Sequence, residues 1–391
     1  MNRRGRWATV LLGAVGIVIA LGVWLGEGRP LRIASPGPAP IDVAPGARGF
    51  GLPPPPATPD NPQRIELGRK LYFDRRLSFN GTMSCAMCHV PEEGFASNAS
   101  QLALGVEGRS LKRNAPTLLN VAWQGLLFHD GREPSLDALP WSALLHADEM
   151  ANPSAGHVLA RLRGLPDYAG AFERAFGGAP ASMDSVGAAI AAFARSLVAA
   201  DSRFDRWRYG ADAAALSPLE QRGFEVFTGA GRCATCHPVG ARDALFSDGL
   251  FHVTGLSSAA AEPQSFSVPL APGVQTTLTR ADLAAFADTA TPDLGRFEIT
   301  LNPADAFAFK TPSLRNVART APYLHDGSMP TLEAVIEAYD RGGARIEGQS
   351  ALITPLGLNS NDRQALAAFL RALDSAHLPA LVAASRRPTS P

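Results

Sequence analysis

The chain has 391 residues, 46% hydrophobic and 18% charged, a globular mixture rather than a disordered one, and its length suits two domains. Thirty-six Lys and Arg balance thirty-six Asp and Glu, which argues against nucleic acid as a partner, because binding phosphate needs a positive excess. Four cysteines are too few for a disulfide scaffold of this size.

Arg3, Arg4 and Arg6 open the chain, and no charged residue follows from Trp7 to Gly26. Those 20 residues span about 30 Å as a helix, the thickness of a bilayer core. Secretory apolar regions are usually shorter, and no clean Ala-x-Ala cleavage site follows at once. Residues 1–28 are read as a signal or anchor segment, with an uncleaved membrane anchor over residues 7–26 favoured over a cleaved signal. The basic flank stays inside, so the remainder faces the exported compartment, a periplasmic location at the inner membrane. Residues 29–62, with Pro53-Pro54-Pro55-Pro56, read as a Pro-rich extended linker.

The body then repeats itself. Cys85-Ala86-Met87-Cys88-His89 returns as Cys233-Ala234-Thr235-Cys236-His237, and the two motifs use every cysteine. Each follows a helix-like segment with a glycine and an aromatic, Gly68 to Tyr72 and Gly223 to Phe227. Downstream, Asn114 to Ala122 leads to His129-Asp130-Gly131, and Thr311 to Ala318 leads to His325-Asp326-Gly327. Pro312 and Pro116, like His325 and His129, are 196 positions apart, whereas Cys233 and Cys85 are 148 apart. The second copy therefore carries about 48 extra residues, whose Ser257–Gly273 stretch reads as an irregular loop. Val186–Val198 and Arg363–Leu373 carry apolar residues at helical spacing. Strand patterns are few, so the chain reads as mainly α, small helical modules joined by long loops.

C-x-x-C-H is the attachment motif of haem c: two thiols add to the vinyl groups, and the following His lies under the iron. A four-cysteine zinc site needs its pairs about 15–20 residues apart, far closer than these. Cys85, Cys88, Cys233 and Cys236 are the expected attachment residues of two haems, with His89 and His237 as proximal iron ligands.

These motifs, with Arg113 to Asn120, Phe128 to Arg132, Lys310 to Asn316 and Ala321 to Gly327, resemble those of the bacterial di-haem cytochrome c peroxidases and their MauG branch, over about residues 62–375. The resemblance implies an N-terminal cytochrome c-like peroxidatic haem domain (63–210), a C-terminal electron-transfer haem domain (211–378) and a flexible tail (379–391). It also implies a calcium ion held by Asn114, Thr320 and Pro322, the last two through backbone oxygens. Family members often close the first haem with a His in the loop after the first motif. Here no His lies between His89 and His129, and the matching position is Gly105, so an open five-coordinate haem is expected. Met83, Met87 and Met150 are the alternative caps.

The second haem takes Met in most of the family, fourteen residues after the His of the His-x-Gly motif; here that residue is Tyr339, as in the MauG branch. A phenolate stabilises oxidised iron, where methionine raises the potential. A packed tyrosine and Met329 are the alternatives. The family's distal acid falls on Glu149, suited to move a proton between peroxide oxygens. The residue between the haems is His129 where the family usually has Trp, read as a catalytic residue that relays charge or else bonds the interface, and the usual distal Gln is Leu139. Gly231 stands where MauG carries a Trp facing its protein substrate, so that substrate is not expected. His146, His157, His252 and His377 carry no motif support, and Trp123, Trp141 and Trp207 are candidates for electron hopping. The function implied is reduction of hydrogen peroxide with electrons from a cytochrome c or similar redox protein. Alternatives are MauG-like oxidation of a partner protein and a non-catalytic electron carrier.

Overall fold

A computed structural model describes residues 51–58, 60–257, 265–271, 274–279 and 293–387. The predicted anchor, and the linker as far as residue 50, lie outside the described residues. Among the described residues, no helix is long and apolar enough to cross a membrane.

Helices dominate. They are α1 (Pro62–Phe73), α2 (Cys85–Cys88), α3 (Leu139–Leu145), α4 (Ala155–Gly164), α5 (Ala171–Ala175), α6 (Met183–Ser196), α7 (Arg203–Tyr209), α8 (Pro218–Thr228), α9 (Phe297–Thr300), α10 (Leu332–Arg341), α11 (Ser360–Arg371) and α12 (Leu378–Ser385). Strand β1 (Phe251–His252) pairs antiparallel with β4 (Phe309–Lys310), and β2 (Ser265–Ala271) with β3 (Val274–Thr279). Local chemistry fixes the helix starts. Ser182, Ser202 and Ser217 cap α6, α7 and α8, and Ser185, Asp205 and Glu220 reach back to close a capping box. Gly342, left-handed at φ 82°, ends α10.

The repeat is a repeat of packing. Helix α1 packs on α6 in the first copy, and α8 packs on α11 in the second. A Cβ on Gly68 would lie 1.8 Å from the Ala189 carbonyl oxygen, and one on Gly223 would lie 2.0 Å from that of Ala365. The paired glycines are therefore demanded by backbone approach at the same helix contact in each copy. Around these pairs the cores separate. Leu67, Leu71, Leu144 and Ile190 form one cluster of the first copy, while Phe204, Phe227, Phe246 and Phe369 centre that of the second. Asn120 and Asn316, both left-handed, accept from the Ala199 and Ser375 amides at 2.8 Å, the same turn lock used twice.

The two copies exchange hydrogen bonds across their contact. The Asn114 amide donates to the His325 carbonyl, and the Lys310 amide donates to the His129 carbonyl, both at 2.8 Å. Asn114 and Lys310 stand 196 positions apart, like the two histidines, so each copy gives the other the equivalent bond.

Three readings change. Ser257–Gly273 is not wholly irregular: residues 265–271 form β2, paired with β3 through Ser265↔Thr279 to Ala271↔Val274, with an irregularity at Pro269, where a ladder donor is missing. The tail predicted as flexible begins with helix α12, whose Leu378 is buried with Tyr72 and Phe193 of the first copy; apolar Leu378, Leu381 and Val382 hold it there. The end of the linker is docked too. The Gly51 carbonyl accepts from the Ala244 amide at 2.9 Å, and Asp60 pairs with Arg195 at 2.6 Å.

Candidate haem centres

Short helix α2 presents Cys85 and Cys88, and His89 follows at its end, its amide bonded back to Cys85. Both thiols are partly buried and outside any disulfide. Burial pushes them up, to about 12 and about 11, and the Glu149 carboxylate adds to the effect on each. The His89 Nδ1 faces two carbonyls, Phe95 at 3.2 Å and Pro116 at 2.9 Å. Only a protonated nitrogen satisfies them, so the free Nε2 is the lone-pair position. His237 repeats the arrangement: its Nδ1 lies 2.7 Å from the Phe246 carbonyl, and the Pro312 carbonyl also bonds the ring. Burial lowers both imidazoles below their ordinary values, keeping them neutral. Carbonyl partners on the far nitrogen orient metal-binding histidines and raise their basicity. Met87 and Leu104, apolar but 45% exposed, sit at Cys88, whose thiol donates to the Leu104 carbonyl at 3.4 Å. Unpaired thiols and a neutral His with free Nε2 fit a covalently held haem at each motif.

Glu149 lies in the turn after α3 and acts electrostatically on both first-motif thiols, which places it at this centre. Its amide donates to the His146 carbonyl at 3.1 Å and its carbonyl accepts from the Val106 amide at 2.8 Å. Burial raises the carboxyl above its ordinary value, with His146 and Arg132 partly offsetting. Such a carboxyl holds or gives up a proton closer to neutrality than an exposed one. Met150, 5% exposed, packs with Leu67 and Leu144 in the helical core. Met83 is also buried, at 8%. Leu139 joins Val121, Leu127 and Phe128 in an apolar cluster.

At the second motif the backbone makes a short turn through Cys233–Thr235, entered by left-handed Arg232. Tyr339, on the last turn of α10, lies within electrostatic reach of Cys233 and Cys236. Burial raises its phenol, and the two sulfurs add to this. Four of the five tyrosines, Tyr72, Tyr168, Tyr209 and Tyr323, donate their hydroxyls to protein oxygens. Among the described residues the Tyr339 hydroxyl has no such acceptor. Met329 forms a backbone bridge with Tyr323.

His129 sits where the copies meet. Its Nε2 donates to the Asn114 carbonyl at 3.1 Å, and burial, with His325 and Arg113, pushes it down to about 3. The neutral ring is thus held by a carbonyl where the two copies meet. Next to it, His325 stacks on Phe309, centroids 3.5 Å apart and 11° from parallel. The Asn114 side-chain nitrogen faces three carbonyls, Ser97, Ser100 and Gln101, at 3.2, 3.4 and 2.9 Å. That nitrogen is thus ringed by backbone oxygens of the 97–101 loop. The Gln101 carbonyl also lies against Gly327, beside the Pro322 ring.

Several contacts escaped the sequence reading. Asp293, from the end of the second copy's insertion, clamps Arg113 at 2.6 and 2.7 Å, and Arg113 also pairs with Asp130. Arg296 donates to the Asp130 and Gly131 carbonyls at 2.8 and 2.9 Å. Lys310 is largely buried against Gln124 and the Leu126 carbonyl, and burial lowers it to about 8. His252 pairs with Asp248 at 2.9 Å, near Cys236. The only advance signal was the 196-residue register, which pairs Lys310 with Asn114.

Comparison with known proteins follows the same geometry. Residues 62–213 match a family profile described as di-haem cytochrome c peroxidase, and residues 308–344 one described as RoxA-like, cytochrome c-like. The chain is 36% identical over 327 residues to the methylamine utilization protein MauG of Methylorubrum extorquens, covering 83% of this chain and 82% of that one. It is 34% identical over 369 residues to cytochrome-c peroxidase IdrP1 of Denitromonas iodatirespirans, covering 89% and 94%. Among solved structures, a MauG-like protein associated with microbial copper homeostasis aligns with a TM-score of 0.69 at 32% identity, over 84% of this chain and 94% of that one.

Proposed function

Because the chain belongs to the di-haem cytochrome c peroxidase and MauG family and is a di-haem peroxidase, we propose how its own residues run that reaction. The observation that carries the reading is Glu149, a buried carboxyl with raised proton affinity beside the first attachment cysteines. An electron carrier has no use for such a group. When bound, one haem would supply an iron for peroxide chemistry and the other a redox centre through which electrons pass.

The chain's own work is then proton handling and orientation. Glu149 takes the proton from one peroxide oxygen and returns it to the other, which leaves as water. Hydrogen peroxide, two protons and two electrons give two waters. His89 and His237, fixed by the Phe95, Pro116 and Phe246 carbonyls, would each offer Nε2 to a haem iron. The electrons come from a cytochrome c or similar redox protein. Asn114, with the Thr320 and Pro322 carbonyls, would hold the calcium ion that the family resemblance implies between the copies. The uncharged stretch from Trp7 to Gly26 supports an exported enzyme held at the inner membrane, or released after cleavage. Fractionation of cells expressing the full chain tests that placement.

A second reading, oxidation of a partner protein by peroxide in the MauG manner, draws support from Tyr339, whose phenolate as an iron ligand would favour oxidised iron over electron uptake. Peroxide consumption by the haem-loaded protein, with reduced cytochrome c as donor, separates the two. Stoichiometric oxidation of cytochrome c supports the peroxidase. Peroxide-driven spectral change without donor oxidation supports the second reading, and no reaction with peroxide refutes both.

A further inference from the structure

Between the first attachment motif and Glu149 stands one small turn. Leu104 and Ser110 close it by an antiparallel bridge, and Gly105 donates to the Arg109 carbonyl at 2.9 Å. Left-handed Glu107 and Gly108 turn the chain at its tip. On one side the Leu104 carbonyl accepts from the Cys88 thiol. On the other, the Val106 amide donates to the Glu149 carbonyl at 2.8 Å, and Arg109 Nη1 donates to the Ala147 carbonyl at 3.1 Å. Val106 itself is 2% exposed, which anchors the turn.

The contact is closest at Gly105. A Cβ there would lie 1.8 Å from the Asp148 carbonyl oxygen and 2.7 Å from the Glu149 Cα. Only a residue without a side chain allows this approach. The space a side chain at position 105 needs is filled by the backbone that carries Glu149. The absence of a capping His in this turn and the presence of the acid at the first centre are thus two sides of one packing choice.

We propose that the Leu104–Ser110 turn positions the Glu149 carboxyl over the first centre, with Gly105 and the Val106 N–H as positioning residues. The inference rests on the acid–base reading of Glu149. Any side chain at Gly105 must push the 148–149 backbone away by more than 1 Å to restore ordinary contact, since real Cβ atoms essentially never come within 3.0 Å. A displacement of about 1 Å at a reacting group costs on the order of 10²-fold in rate.

The experiment is a double-mutant cycle in the haem-loaded full chain, with Gly105→Ala made alone and in a Glu149→Gln background. Turnover with peroxide and reduced cytochrome c is the kinetic readout, and haem content is checked by absorbance. The expected result is a loss of about 10²-fold in kcat for Gly105→Ala alone, with KM for cytochrome c unchanged, and little further loss when Glu149 is already Gln. An equal loss in both backgrounds, or no loss in either, overturns the proposal. An unaltered rate for Glu149→Gln by itself removes the acid–base reading instead, a separate outcome. Should Gly105→Ala fail to fold, hydrogen exchange in the unmodified protein decides. Strong protection of the Val106 amide is expected, and exchange at the unprotected rate overturns the proposal.

Discussion

Tyr339 gives the sharpest test of which branch of the family this protein follows. Replacing it with Phe removes one hydroxyl that has no hydrogen-bond acceptor among the described residues. The fold therefore loses no bond of the usual net worth of about 1 kcal/mol, and thermal stability should hardly move. Burial and the neighbouring sulfurs make the phenolate costly without a cation nearby. Ferric iron is such a cation, and in the loaded protein the sulfurs are neutral thioethers. If the phenolate ligates the second haem, Tyr339→Phe opens the sixth position to cyanide, and Tyr339→Met raises the midpoint potential. Each 59 mV is a factor of ten for one electron, and an anion-to-thioether exchange should exceed that severalfold. Redox titration with electron spin resonance, counting low-spin haems, is the assay. A second haem that stays six-coordinate at the same potential in Tyr339→Phe refutes the ligand assignment.

Three further outcomes are expected. Glu149→Gln should retain both haems and their ferric spectra while slowing peroxide turnover about 10²–10⁴-fold, measured by stopped-flow absorbance. Cys85→Ala with Cys88→Ala should leave one covalent haem, counted by the pyridine haemochrome spectrum; two remaining haems would remove the attachment assignment. Asp293→Ala should destabilise the protein by about 3 kcal/mol in urea unfolding, since the Arg113 and Asp293 side chains are only 11% and 9% exposed and Arg113 keeps Asp130. Arg113 holds the Asp293 carboxyl below its ordinary value against the opposing effect of burial. Its contribution is therefore present above the unfolded carboxylate pKa of about 3.9 and lost as pH falls through the lower folded value. The variant should lose that acid-limb dependence.

How much of this was legible in the sequence depended on whether a residue's partner lay within its own repeat. The haem motifs, α6 and α11 announce themselves by local spacing, and the glycines at 68 and 223 are explained by the neighbouring helix in each copy. Strands β2 and β3 were hidden because Pro269 and the small polar residues around it mimic a loop, although Phe266, Val268 and Leu270 alternate. Helix α12 was hidden for the opposite reason: its stabilising surface is α1 and the loop after the first motif, some three hundred residues earlier, and no local pattern records that distance.

The same distinction explains the site. The proximal histidines are fixed largely by carbonyls near in sequence, Phe95 and Pro116 for His89 and Phe246 for His237, and the motif carries them even though the Pro312 carbonyl reaches His237 from far along the chain. Asp293 meets Arg113 only because the insertion of the second copy folds back on the first, and a lone Asp in a loop has no signature before the fold exists. Gly105 is the intermediate case. Its position in the register was readable as a missing ligand, but its contact with Asp148 and Glu149 was not. Absence of a His shows only that one ligand is missing, whereas 1.8 Å of clearance shows what stands in its place. That second fact ties the turn beside the first motif to the backbone of Glu149 through a single contact.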